Sequence, residues 1–210
     1  MIILGLTGSI GMGKSFAARA FARAGAAMFD ADAAVHRLTG PGGAAVGAVE
    51  KIFPGVAWGR GRSRRIERAR LASRVFGKPA ELKRLEAVLH PKVREDTRAF
   101  LAAAAARGVR LAVLEVPLLF ETGGEAGCDA SAVVWAPASV QRVRVMSRAG
   151  MTLAKLTAIR SRQMSEREKF RRADFFIPTG GGVCATLREV RAIVRILKSR
   201  EGRCWPGCWE

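Results

Sequence analysis

Eight residues near the N-terminus, GSIGMGKS at Gly8–Ser15, constrain the fold of this chain more than any other stretch. They satisfy G-x-x-x-x-G-K-[ST] at every fixed position. They also follow an apolar run, Ile2–Leu6, and lead into a segment of helical spacing, Lys14–Ala24. A glycine-rich loop between a strand and a helix can converge backbone N–H groups on phosphate oxygens, helped by the positive end of the helix. Gly8, Ser9, Ile10, Gly11, Met12 and Gly13 would form the cradle. Lys14 would add a charge at the β/γ-phosphates of a nucleotide, and the Ser15 hydroxyl could ligate Mg²⁺. The rival glycine pattern, the dinucleotide turn G-x-G-x-x-G, fails because Phe16 stands where its third glycine belongs.

The rest of the chain extends this start into an α/β order. Ala26–Phe29 is apolar and leads into Asp30 and Asp32, so strand, helix and strand occupy about thirty residues, as in a parallel sheet. Strand signals return at Val109–Val116, Ser131–Ala136 and Asp174–Ile177, and helical spacing at Ala138–Ala149, Thr152–Arg162 and Val183–Ser199. Between Ala33 and Arg107 the pattern is mostly helical, broken at 40–43, 54–63 and 77–79. The expected organisation is a core made of 1–32, 107–137 and 173–200. A helical lobe spans 33–106, an arginine-rich helical segment 138–172, and a loose tail 201–210.

Charge narrows the partners less than the motifs do. The formal net charge is +18, from 36 Lys and Arg against 18 Asp and Glu. Such a surplus suits nucleic acid, a phosphate-rich small ligand, or solvated helix faces. The chain has no Tyr, and its Phe residues sit largely in apolar runs, so the aromatic interleaving of a nucleic-acid surface is missing. No apolar run reaches the roughly 18 residues of a membrane span, and no leader pattern precedes MIILGL, which favours the cytoplasm. Of the four cysteines only Cys204 and Cys208 are close, a weak metal signal at a chain end.

Several polar residues are placed for chemistry, each with a plainer alternative. Asp30 and Asp32 follow the second strand, where ligands sit in open α/β sheets. Asp32 either takes the proton of an acceptor hydroxyl or caps a helix. Glu115 ends the run LAVLE and either holds a metal, directly or through water, or is a solvated edge residue. Arg144 and Arg148 are four apart on one helical segment, with Arg160, Arg162 and Lys169 downstream. They are either a solvated face or a lid that closes cations over a transferring phosphoryl group.

The order GSIGMGKS, DAD at 30–32, LHP at 89–91, VPLLFE at 116–121, then Q-x5-K and A-D, resembles the dephospho-coenzyme A kinase family over about residues 2–197. The loop is generic to P-loop proteins; DAD with LHP and PLLFE is more specific. The resemblance implies a P-loop NTPase-type α/β fold, a parallel sheet flanked by helices, with an inserted helical substrate lobe and a helical lid. It implies an ATP-dependent kinase acting on the ribose 3′-hydroxyl of dephospho-coenzyme A, with Mg²⁺ and small-molecule partners, no nucleic acid or membrane, and no indication of oligomeric state. It assigns Asp32 as base, Arg144 and Arg148 as lid cations, and Arg68 and His90 to the acceptor. It also matches Gln163 to the family's late glutamine. The chain departs from the family's Ile-Asp-Asn-x-Gly at 177–181, where it reads IPTGG, a region bordering the adenine side. It also carries Ala149 after the second lid arginine and Glu115 where Asp or an apolar residue is common. The open alternatives are a P-loop kinase for another nucleoside or small alcohol, and a basic nucleic-acid-binding P-loop protein.

Overall fold

The computed structural model describes residues 1–161 and 163–209. The chain divides into two compact units, Met1–Asp30 with Leu101–Glu210, and Ala31–Phe100.

The first unit is built on five parallel strands: β1 (Ile2–Thr7), β2 (Ala27–Asp30), β5 (Leu111–Glu115), β6 (Ala130–Trp135) and β7 (Phe175–Pro178), in the order β2-β5-β1-β6-β7. Alternate side chains of the inner strands face helices α1 (Lys14–Arg23) and α9 (Val183–Lys198). Ile2, Leu4 and Leu6 on β1, Leu111 and Val113 on β5, and Ala132 and Val134 on β6 pack with Ala17 and Phe21 of α1 and Val190, Ile193 and Leu197 of α9. The period-two pattern thus supplies one core face and the helical periods supply its cover. The register aligns Asp30 at the end of β2 with Glu115 at the end of β5, and Glu115 with Leu6 of β1. The carboxyl ends of three strands therefore share one edge of the sheet, and the glycine-rich loop leaves from the central one. Three short helices also belong to this unit: α6 (Ala138–Met146), α7 (Leu153–Arg160) and α8 (Glu166–Arg172).

The second unit carries α2 (Ala31–Thr39), α3 (Val46–Ile52), α4 (Arg68–Val75) and the start of α5 (Pro79–Ala106), whose last turns fall in the first unit. Its core joins Leu38, Val46, Val49, Phe53, Ile66, Leu85 and Leu89. The glycine-rich break at 54–63, expected only as an interruption between helices, forms a small antiparallel hairpin of β3 (Ala57–Trp58) and β4 (Arg65–Ile66). Gly59 adopts φ 91°, and the Arg65 guanidinium lies over the Trp58 ring at 4.5 Å. Strands of two residues leave too short a period for sequence to reveal.

The Glu50 carboxylate holds the entry to this hairpin, accepting from the backbone N–H of Gly55 at 2.9 Å and of Ala57 at 2.6 Å. Burial works to raise its pKa, but the backbone donors, together with the Arg64 charge, outweigh it and hold the carboxyl below its ordinary value. A group with a lowered folded pKa lends stability above its unfolded pKa and loses it as pH falls through the folded one. Glu50→Ala should therefore destabilise the protein by about 1–3 kcal/mol at pH 7. The gap to wild type should shrink below about pH 4, where an ordinary glutamate takes up its proton. Thermal melts at pH 7 and pH 3.5 check this; an equal gap at both would remove the charge from the account.

The tail differs from the loose end expected of it. The Asp129 carboxylate accepts from Ile3 N–H at 2.7 Å, from Cys204 N–H at 2.9 Å and from Arg203 N–H. Trp209 is buried and donates its indole N–H to Gly127 O at 2.9 Å. The anchors lie more than seventy residues away in sequence, so local composition gives no sign of them. Burial pushes the Cys128 thiol up to about 12. Burial, then a Cys208 hydrogen bond and the Asp129 charge, do the same for Cys204. These thiols stay protonated, and among the described residues no group of three His, Cys, Asp or Glu is placed to hold a metal. No helix among the described residues is long and apolar enough to cross a membrane.

Candidate active site

The loop Gly8–Ser15 turns from β1 into α1 through backbone that only glycine adopts readily. Gly8, Gly11 and Gly13 have φ of 151°, 77° and 87°. Space is as restrictive as angle. A Cβ on Gly8 would lie 2.8 Å from Val134 O, and one on Gly13 2.9 Å from Thr179 Oγ1. Lys14 Nζ donates to Gly8 O at 2.6 Å, so the ammonium spans the concave side of its own loop. Ser15, in the first turn of α1, is exposed.

The segment 138–172 reaches this loop with a series of polar side chains. Gln141, on α6, donates to Ile10 O at 2.8 Å, and the Gln163 side-chain oxygen accepts from Ile10 N–H at 3.2 Å. Ser9 Oγ donates to Glu166 Oε1 and accepts from Lys169 Nζ at 3.2 Å. Lys169, on α8, is 0% exposed and pairs with Glu121 Oε1 at 3.2 Å. The same oxygen accepts from Met164 N–H at 2.7 Å. A fully buried ammonium survives only with such partners, and breaking a buried pair typically costs about 3–5 kcal/mol. Glu121 closes the PLLFE run, so one lysine ties that run to the glycine-rich loop.

Arg144 projects from the last turn of α6 toward the other side of the loop. Its guanidinium donates to Thr179 O at 2.7 Å and to Thr179 Oγ1 at 3.2 Å. Thr179 follows β7 and is only 6% exposed. Its hydroxyl lies 2.6 Å from Met12 O, within donating distance, and its N–H bonds Trp135 O at 2.7 Å.

The structure brings some expected residues together and separates others. The loop residues, Lys14 and Arg144 meet within the first unit. Arg148 does not share a helix face with Arg144 as expected. Helix α6 ends at Met146, and Arg148 N–H closes a tight turn on Val145 O at 3.1 Å, leaving the side chain exposed in the turn. A four-residue spacing places two side chains on one face only while the helix lasts, and Gly150, at φ 72°, follows at once. Arg162 lies outside the described residues. Asp30 and Glu115 are register partners at the strand ends. Asp32 occupies the first turn of α2, exposed, inside the helix and not at an N-cap position.

In the second unit a cleft of about 320 Å³ is lined by Arg68 with His36, Thr39, Arg65 and Glu67. His90 is exposed on α5 and is not part of that lining. The sequence assigns no role to Gln141 or Glu166, and although Glu121 ends VPLLFE and Thr179 lies in IPTGG, neither run names the contact its residue makes. Each is an ordinary polar residue whose partner is far along the chain, so no spacing signals it.

The chain is similar to known proteins along most of its length. The family model described as dephospho-CoA kinase matches residues 2–184. A dephospho-CoA kinase of Mesorhizobium japonicum is 51% identical over 202 residues, covering 96% of this chain and 100% of its own. Among solved structures, one from Thermus thermophilus superposes with a TM-score of 0.77 at 34% identity, covering 96% of this chain and 98% of that one. A dephospho-CoA kinase from Campylobacter jejuni shares the fold, with a TM-score of 0.62 at 22% identity over 94% of this chain and 98% of its own.

Proposed function

The chain belongs to the dephospho-CoA kinase family, and from that premise we propose which of its residues carry the reaction. It is a transferase that phosphorylates dephospho-coenzyme A at the expense of ATP, in coenzyme A synthesis. The 3′-hydroxyl of the ribose is the accepting oxygen in this reading, and the cytoplasm is the compartment.

The observation that carries the assignment is the glycine-rich loop with Lys14 across its concave side and Arg144 seated beside it. Gly8–Gly13 hold the β- and γ-phosphates through backbone N–H groups, and Lys14 leaves Gly8 O for the phosphate oxygens. Arg144 meets the charge that develops on the transferring group. Asp32 orients the acceptor hydroxyl and takes its proton. The inserted lobe, about 33–106, holds the acceptor, with Arg68 facing its anionic part and His90 steadying the ribose. Arg148 assists from the turn after α6. In phosphoryl transfer the protein's share is mainly position and charge, which is what these groups supply.

The donor set fits Mg²⁺. Ser15 offers a hydroxyl at the loop, and Asp30 and Glu115 are hard carboxylates at adjacent strand ends. A phosphate-bound Mg²⁺ needs only one or two protein oxygens, because the substrate and water complete its shell. When bound, the ion neutralises charge on the phosphates. Ser15 would hold it directly and Glu115 through water.

A coupled assay of ADP release across dephospho-coenzyme A, adenosine and nucleoside monophosphates tests the reading. ADP should form with dephospho-coenzyme A at a kcat/KM at least about a hundredfold above any other acceptor, the discrimination that unpaired polar groups in a site produce. A faster reaction with another alcohol would replace the assigned acceptor.

A further inference from the structure

We propose that Thr179 is a positioning residue that seats Arg144 against the phosphate loop. The inference rests on the reading of Arg144 given above and extends it to a residue of the IPTGG stretch, where the chain departs from the family's pattern.

Thr179 stands where three elements meet. Its N–H anchors it to Trp135 O, at the end of β6, at 2.7 Å. Its hydroxyl has one proton, and that proton has a close acceptor in Met12 O at 2.6 Å. A lone pair of the same oxygen then faces Arg144, which donates to it at 3.2 Å and to the Thr179 carbonyl at 2.7 Å. The two acceptors grip the guanidinium at two points, which fixes its plane as well as its place. The remaining N–H groups are left to meet anionic oxygens. Thr179 Oγ1 also lies 2.9 Å from the position a Cβ on Gly13 would take, so the threonine packs directly on the glycine before Lys14.

The hydroxyl of a buried threonine, donating into the loop and accepting from the arginine, links the two in one geometry. Without it, Arg144 keeps one acceptor and regains rotation about it, and Met12 O loses a donor. The cost should fall on the chemical step, because preorganised charge acts where charge develops.

The test measures kcat, both KM values and melting temperature for Thr179→Val, Thr179→Ala, Thr179→Ser, Arg144→Ala and the Thr179→Val/Arg144→Ala pair. Arg144→Ala should lower kcat at least about tenfold, and Thr179→Val about tenfold, the loss expected of a hydrogen bond to a charged group. Thr179→Ser should stay within about threefold of wild type, and KM for dephospho-coenzyme A should barely move. In the Arg144→Ala background, Thr179→Val should cost no more than about twofold, since residues that act as a unit are not additive. Thr179→Ala carries the same expectation should the valine protein fail to fold.

If Arg144→Ala cripples the enzyme while Thr179→Val and Thr179→Ala keep kcat within threefold of wild type, the seat is wrong and the arginine's role stands. Equal losses from Thr179→Val with and without Arg144 also overturn it, because the threonine would then act by another route. A fully active Arg144→Ala removes the reading beneath the inference, and the inference with it.

Discussion

Asp32→Asn should lower kcat by about 10²–10⁴-fold, the range a general base contributes, with KM for ATP little changed. The substitution keeps size and shape and removes only the basicity and charge of the carboxylate. Asp32 is exposed in the first turn of α2, so the variant should fold normally. Asparagine keeps the hydrogen-bonding capacity of the side chain, and the favourable field between an anion and a helix N-terminus is worth about 0.3–1 kcal/mol. That is a small change in melting temperature beside a loss of several kcal/mol in the barrier. The two contributions therefore separate cleanly when kcat and thermal melts are measured on the same sample. A fall in kcat of less than tenfold would end the assignment of Asp32 as base and return the residue to the helix it begins.

Lys14→Met should lower kcat/KM for ATP by about 10²–10³-fold, the loss typical of removing one preorganised group that meets developing charge. The Lys14 ammonium donates to Gly8 O at 2.6 Å. Removing it forfeits that hydrogen bond, while the glycines keep the backbone path. Nucleotide binding measured by calorimetry and turnover measured by ADP release should both weaken, and the melting temperature should shift little. An unchanged rate would mean that the loop does not hold the transferring phosphate.

The positions of these two residues are legible in the sequence for a physical reason. Lys14 is fixed by a motif eight residues long, and Asp32 lies just past a strand end. The patterns that place them also mark the parallel sheet, because β1, β5 and β6 are short continuous apolar runs, buried on both faces, and α1 and α9 carry an apolar face. The hairpin at 57–66 is not legible in the sequence because two-residue strands have no period to read. The four-residue spacing of Arg144 and Arg148 misleads because the helix ends at Met146, two residues before Arg148. The order of the tail is invisible in its own sequence because Asp129 and Gly127, which hold it, are distant along the chain.

By itself the sequence determined the chemistry that is local: the phosphate loop, its lysine, the strand-end carboxylates, and the ordered motifs that mark the family. Glycine geometry, charge at a helix start and side-chain period all act within a few residues, so they are written in the order of the chain. Tertiary structure alone decided what holds that chemistry in place. The buried Lys169–Glu121 pair on Ser9 joins residues 48 and 160 positions apart in sequence. Thr179 bonds Met12 across 167. Such contacts depend on two segments arriving at one point with complementary donors and acceptors. No single segment encodes that meeting, and a polar residue becomes a partner only once the sheet has brought the other to it.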